Sequence, residues 1–139
     1  MSELKINHLA AIVCIILLHV LGAIWYGPLF GESWMGAIGL TMADAEANPP
    51  GAGVWITNFV NSALAVYVLA WLFTRLNVTS AVDGLLKGVL IGAAFQLMPV
   101  MAGNMFAMAP YELAWINGGF YMAGWGLCGL ILGVWTKKA

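Results

Sequence analysis

Hydrophobic residues form four long stretches along the chain, and short segments rich in polar residues, glycine or proline separate them. The stretches cover residues 8–26, 54–73, 83–104 and 113–135. Each can cross the hydrocarbon core of a bilayer as an α-helix, which needs about 20 predominantly apolar residues. The pattern predicts an all-α integral membrane protein with four transmembrane helices arranged as two helical hairpins.

The longest connection, residues 27–53, follows the first predicted span and begins with a Gly-Pro pair. Within it, residues 32–40 carry apolar side chains suited to a helix that lies on the membrane surface. Thr41 and Asp44 have the spacing of a helix-capping box. We therefore predict two short interfacial helices, and a lid over a site on the outer face is the alternative interpretation.

Composition supports the membrane assignment, because 63% of the residues are hydrophobic and only 8% are charged. Soluble domains carry roughly a quarter charged residues. Four spans leave no room for a separate soluble domain, so residues 1–139 are predicted to form one membrane domain. The net charge of −1 excludes the basic surface that nucleic-acid binding requires.

The charged residues predict an orientation, because the basic ones fall on one side of a four-helix topology. They are Lys5, Arg75, Lys87, Lys137 and Lys138. The opposite side carries the acidic residues Glu32, Asp44, Glu46 and Glu112. The positive-inside rule then places both termini in the cytoplasm, with the first helix retained and not cleaved as a signal peptide.

Polar side chains within the predicted spans concentrate in the outer halves of the helices. These pocket candidates are His19, Asn58, Asn61, Ser62, Gln96, Asn104 and Asn117. Intramembrane polar groups usually face the bundle interior, where they either join helices by hydrogen bonds or line a water-filled site. Both interpretations stay open, whereas a continuous channel is disfavoured because the inner halves offer few polar partners.

Two further patterns concern packing and metal binding. Small residues recur every four positions at Gly84, Gly88, Gly92, Gly129 and Gly133, a spacing that lets helices approach closely within a monomer or between subunits. We predict a homo-oligomer or a subunit of a membrane complex.

The methionines Met98, Met101 and Met105 would share a helix face. Thioether groups suit Cu(I), so this face is a candidate copper site. Methionine is also an adaptable apolar side chain that fills irregular gaps, and this second interpretation stays open.

Catalytic signatures are weak. The segment from Gly31 to Ser33 begins like a nucleophile elbow but lacks the second glycine, and the chain contains no P-loop, dinucleotide-binding or HExxH motif. An enzyme acting on lipid would have to use Glu32, Glu112 or His19, and none of these lies in a recognised catalytic motif. We predict no cofactor and a non-enzymatic protein.

Two segments carry a family resemblance. They are Trp25-Tyr26-Gly27-Pro28-Leu29-Phe30-Gly31 with Trp34-Met35, and Ile116-Asn117-Gly118-Gly119 with residues 129–135. The chain resembles the small bacterial membrane proteins of domain-of-unknown-function family 1761 over nearly its whole length. The resemblance implies a four-helix inner-membrane protein and implies no activity.

The first of these segments also suggests an anchor for the outer loop. Trp25 and Tyr26 suit the headgroup level, Pro28 interrupts a helix, and Phe30 and Trp34 return apolar side chains to the interface. The sequence as a whole favours a multi-pass membrane protein that binds a small molecule or lipid in an outer-leaflet pocket, or serves as an accessory subunit. The alternative is a copper-handling or small-solute transport protein that uses the methionine face.

Overall fold

The structure, a computed structural model, describes residues 3–139, and most of this range is helical. The seven α-helices are α1 (His8–Ile24), α2 (Gly31–Ile38), α3 (Met42–Ala47), α4 (Ala52–Arg75), α5 (Ala81–Gly92), α6 (Met98–Phe106) and α7 (Tyr111–Val134). Two π-helical turns extend α1 (Trp25–Leu29) and join α5 to α6 (Ala93–Leu97). Two short strands, β1 (Leu4–Lys5) and β2 (Lys137–Lys138), lie at the ends of the described range.

Three helical segments of the described range are long and apolar enough to cross a membrane: His8–Leu29, Ala52–Arg75 and Ala81–Phe106. The prediction of an all-α membrane protein is confirmed at this level. Helix α7 is as long as α4 but is not among these three segments. It is also the helix that the others surround, so it presents less side chain to lipid.

Helices α5 and α7 make the closest contact in the molecule, and glycine makes this contact possible. A Cβ atom on Gly84 would overlap the carbonyl oxygen of Gly129, and one on Gly88 would overlap the carbonyl oxygen of Trp125. The glycines predicted to pack helices, Gly84, Gly88, Gly92, Gly129 and Gly133, all lie in this contact. The structure therefore places both glycine rows between helices of one chain.

The buried core occupies only one half of the bundle, where α1, α4 and α7 meet. On α1 it consists of small and branched side chains, among them Ala10, Ala11 and Cys14, which let α4 approach closely. The thiols of Cys14 and Cys128 face each other there, each within 3.8 Å of the other residue's carbonyl oxygen. The core residues on α4 lie between positions 66 and 73.

The two terminal strands close this half of the bundle. Strand β1 pairs antiparallel with β2, so that Leu4 lies opposite Lys138. The side chain of Asn7 caps α1 and also donates a hydrogen bond to the carbonyl oxygen of Trp135, at 3.0 Å. Both ends of the described chain therefore lie at the same end of the bundle, which we call the basic end because Lys5, Lys137 and Lys138 are there.

Neither π-helical turn is predicted by the hydrophobic pattern, and a proline lies in or beside each. Pro28 is inside the first turn, where Gly27 also leaves helical dihedral angles. Pro99 follows the second turn closely. Because proline has no N–H to donate, the preceding turn cannot keep α-helical bonding, and a wider turn accommodates the change.

The short helix α3 confirms the predicted capping box. The backbone N–H of Asp44 donates to the Thr41 hydroxyl oxygen at 3.1 Å, and the backbone N–H of Thr41 donates to the Asp44 carboxylate at 3.0 Å. These reciprocal bonds satisfy two N–H groups that the first turn of a helix leaves without partners. Helix α2 likewise lies where the first interfacial helix is predicted.

The capping box makes α3 sensitive to acid. Hydrogen bonds from the Thr41 hydroxyl and backbone hold the pKa of the Asp44 carboxyl below its ordinary value of 3.8. Because the pKa of Asp44 is lower in the folded state than in the unfolded state, the cap stabilises α3 at pH values above the ordinary pKa. This stabilisation is lost as the pH falls through the lower pKa of the folded state. We expect the helical carbon chemical shifts of residues 42–47 to move toward coil values on acidification. The same shifts in Asp44→Asn should not titrate, and an identical titration in that variant would contradict the prediction.

Candidate functional site

A cleft opens between α1, α4 and α7 in the half of the bundle away from the basic end. Every residue from 51 to 61 is exposed, because this part of α4 leaves the other helices. The side chains between α1 and α7 change along the bundle. Small residues at the basic end are replaced at the cleft by Phe120 and Tyr121 of α7, and Phe120 packs against Gly22 and Tyr26.

The cleft has a volume of about 400 Å³ and unlike walls. Its lining comprises Leu18, His19, Gly22, Ala23, Tyr26, Trp55, Asn58, Asn61, Ser62, Phe120, Tyr121 and Trp125. Helix α4 contributes the amides and the hydroxyl, whereas α7 contributes aromatic rings. No lining residue in the described range is Asp, Glu, Lys or Arg, so the cleft offers hydrogen bonds and ring faces without a fixed charge.

His19 contributes one ring nitrogen to this site. Its Nδ1 lies 2.8 Å from the carbonyl oxygen of Ile15. A carbonyl oxygen only accepts, so Nδ1 carries the proton and Nε2 of the neutral ring is an acceptor. The ring also packs beside Phe59, with 5.9 Å between the ring centroids. His19 can therefore accept a hydrogen bond from a hydroxyl or amide group in the cleft.

The polar face of α4 is arranged along one side of the helix. The Ser62 hydroxyl donates to the backbone carbonyl of Asn58 at 2.9 Å, so its oxygen keeps lone pairs for a further donor. The side-chain amides of Asn58 and Asn61 have no hydrogen-bond partner within residues 3–139. Two carboxamides thus face the cleft with their donors and acceptors free, whereas an amide that only joined helices would be paired.

The extension of α1 covers one side of the cleft and is fixed to α7. The Trp25 indole N–H donates to the carbonyl oxygen of Ile116 at 2.9 Å, and the Tyr26 hydroxyl donates to Asn117 Oδ1 at 2.9 Å. The Trp25 ring lies against Gly119, where a Cβ would be 3.4 Å from the ring. The two segments that carry the family resemblance are therefore in direct contact.

The remaining residues of the predicted outer-loop anchor surround this contact. Phe30 packs on Trp25 with 4.7 Å between ring centroids, and Trp34 meets Tyr26 edge-on at 5.4 Å. Pro28 lies in the π-helical turn between them. The turn also requires glycine at position 31, because a Cβ there would be 2.6 Å from the carbonyl oxygen of Tyr26.

Three of the predicted pocket residues do not line the cleft. Asn117 is adjacent to it but accepts the Tyr26 hydrogen bond. Asn104 lies on α6, where its side-chain nitrogen is buried without a partner in the described range. Gln96 lies in the second π-helical turn and lines a separate groove, of about 260 Å³, between α4 and α5. Asn61 and Trp125 line both the groove and the cleft.

The predicted metal residues lie on α6, away from the cleft. Met98 and Met105 are exposed, and the sulfur of Met101 accepts a hydrogen bond from the Tyr111 hydroxyl at 3.5 Å. Within residues 3–139, no three His, Cys, Asp or Glu side chains are grouped as metal ligands. The structure therefore places Met98 and Met105 at the bundle surface.

Sequence reasoning missed the aromatic wall of the cleft and the facing thiols. Phe120, Tyr121 and Trp125 reach the cleft only because α7 crosses α1, a contact between distant parts of the chain. A local signal existed for Trp55, which precedes Asn58 by three residues and so shares its helix face. Prolines at 28 and 99 were the available signals for the two irregular turns.

Comparison with known proteins gives one match. A family model described as "Protein of unknown function (DUF1761)" matches residues 9–133, nearly the whole chain. No curated protein and no solved structure matches. The matched range contains every residue that lines the cleft.

Proposed function

We propose that this chain, which belongs to the DUF1761 family of proteins of unknown function, is a four-span membrane protein that binds a small molecule or lipid in its polar cleft. The observation that carries the proposal is the pair of unpartnered amides at Asn58 and Asn61, opposite an aromatic wall. We favour binding over catalysis because no Asp, Glu, Lys or Arg lines the cleft among the described residues. A bacterial inner membrane with both termini in the cytoplasm fits the family resemblance and the charges.

The pairing of the terminal strands supports four spans. Since β1 and β2 are adjacent, the chain must cross the bilayer an even number of times between them. Three segments meet the length and hydropathy of a span, and α7 supplies the fourth crossing. The turn after Arg75 returns to the basic end, while Glu32 and Glu112 lie at the opposite end. This distribution is the one that the positive-inside rule associates with cytoplasmic termini.

The open amides support a binding role, because a ligand can bond to groups that only water would otherwise satisfy. An amide transferred to an apolar environment without a hydrogen bond costs roughly 2 kcal/mol or more. Water can satisfy Asn58 and Asn61 while the cleft is empty, since it opens toward the outer surface. A ligand that brings hydroxyl or carbonyl groups replaces that water and gains the aromatic contacts of Trp55 and Trp125 in addition.

Native mass spectrometry of the protein extracted in its own lipids tests the proposal. We expect the wild type to retain an organic adduct, and Asn58→Leu and Asn61→Leu each to lower its occupancy about fivefold, the effect of one net hydrogen bond. Asn104→Leu is the matched control, because it makes the same change in a membrane helix outside the cleft. It should retain the adduct.

Other outcomes of this experiment would overturn the proposal. An oligomer without adduct would favour the role of an accessory subunit, with the amides serving contacts between subunits. A copper adduct lost in Met101→Leu would favour the alternative of a copper-handling protein. An adduct that all three asparagine variants retain equally would place the bound molecule outside the cleft.

A further inference from the structure

We infer that the ligand is a single-chain amphiphile with an uncharged head, whose head lies in the cleft and whose hydrocarbon chain lies in the groove between α4 and α5. This inference rests on the proposed function, because it names the class of molecule that the cleft would bind. Three features carry it: the residues that the two cavities share, the apolar side chains of the groove, and the lack of Asp, Glu, Lys and Arg among the described residues that line both cavities.

The two cavities adjoin, because Asn61 and Trp125 line both. We place the passage of the ligand from the cleft to the groove at Asn61. Below Asn61 the groove follows α4 along Leu64, Ala65, Val68, Leu69 and Leu72. From Asn61 to Leu72 the helix rises roughly 16 Å at 1.5 Å per residue. This is about half of the hydrocarbon thickness, the depth of one leaflet and thus of one acyl chain.

The groove exists because its two walls are attached to other helices. Helix α5 is held on α7 by the glycine contact, while α4 packs on α1 and α7. The wall opposite α4 includes Ile91 of α5 and Phe95 of the π-helical turn, and below Asn61 the α4 wall is aliphatic. An apolar channel of this kind, open to the bilayer along its side, provides dispersion contacts for a chain that enters from the lipid.

Gln96 gives the groove its one further polar group apart from Asn61. It lies in the π-helical turn, and its side-chain amide has no partner within residues 3–139. Lipid chains offer an amide no hydrogen-bond partner, so leaving the Gln96 side chain unpaired at this depth costs free energy. A carbonyl oxygen at the top of an acyl chain would accept from the Gln96 N–H. An ester or amide link between head and chain therefore fits the site better than a plain hydrocarbon does.

The head is uncharged because the lining of both cavities lacks ionic partners. Among the described residues that line them, none is Asp, Glu, Lys or Arg. Desolvating a charged group without a counter-charge is expensive, whereas hydroxyl groups can bond to Asn58, Ser62 and His19 Nε2. Glycerol esters have this combination of hydroxyls, ester carbonyl and single chain.

The test compares monopalmitin with the short-chain monobutyrin, titrated into the full-length protein in nanodiscs and followed by native mass spectrometry. The variant is Val68→Phe, which adds bulk inside the groove at a side chain that is 52% exposed. Val60→Phe is the matched control, being the same change on the same helix at a residue that is 57% exposed and lines neither cavity. We expect Val68→Phe to weaken monopalmitin about tenfold, because it displaces several buried methylenes, and to leave monobutyrin unchanged. Val60→Phe should bind both as the wild type does.

The results separate the two proposals. Equal affinity of Val68→Phe and wild type for monopalmitin would overturn the placement of the hydrocarbon chain in the groove. This holds even if the asparagine variants still lose the natural adduct. Tighter binding of palmitic acid at neutral pH than of monopalmitin would overturn the uncharged head. Loss of monobutyrin in Asn58→Leu, with monopalmitin also weakened, would support the head position in the cleft.

Discussion

Replacing Gly88 by alanine should lower the free energy of unfolding by about 3 kcal/mol, an effect at the upper end for overpacking. The added Cβ would overlap the carbonyl oxygen of Trp125, which is backbone and cannot rotate away as a flexible side chain would. The two helices must therefore move apart along their whole contact. Unfolding by sodium dodecyl sulfate, followed by circular dichroism, measures the change.

Gly103→Ala is the control for this substitution. Gly103 lies in α6, within the same apolar segment, and a Cβ there would meet no atom within 4 Å. Because alanine favours helix by about 1 kcal/mol over glycine, this variant should be as stable as the wild type or more so. Equal stability of Gly88→Ala and Gly103→Ala would show that the close α5–α7 contact is not present in the membrane.

Replacing Trp25 by alanine should detach the outer loop and cost about 3 kcal/mol, at the low end for tryptophan because the ring is only half-buried. The variant loses the hydrogen bond to Ile116 and the ring contacts with Phe30 and Gly119. We expect a glutamate-specific protease to cut faster at Glu32 and Glu46. The rate of loop cleavage in protein reconstituted in nanodiscs is the measurement.

Two companion variants separate the causes. Trp25→Phe keeps most of the ring but removes the N–H, so it should lose only about 1 kcal/mol. Trp115→Ala removes a tryptophan near the same level that is 51% exposed, and it should leave loop cleavage unchanged. If Trp25→Ala is cut no faster than Trp115→Ala, the loop is held by something other than this contact.

The sequence predicted the helical segments because long apolar stretches in so uncharged a chain have few alternatives. The capping box at Thr41 and Asp44 was equally local, and it was confirmed. The π-helical turn at Ala93–Leu97 was not predicted, since its cause is a wider hydrogen-bond pattern that leaves hydropathy unchanged. Prolines mark such places without specifying the geometry that results.

The candidate site was only partly predictable, because depth in the membrane can be read from the sequence but direction around the helix is less certain. Spacing on one helix placed Asn58, Asn61 and Ser62 on one face, and all three line the cleft. Gln96 lies at a similar depth, yet it lines the groove between α4 and α5 and not the cleft. Asn117 is engaged by Tyr26, a partner distant in sequence that periodicity could not identify.

The pairing of β1 with β2 has a consequence for the connectivity of the molecule. The backbone N–H of Ala139 donates to the carbonyl oxygen of Glu3 at 2.8 Å, so the described chain is nearly a closed ring. A peptide of a few residues could join these ends while the ring is cut in the turn near Asn77, where the backbone φ is positive. Such a circular permutant would keep every helix of the described range and would still begin and end at the basic end of the bundle.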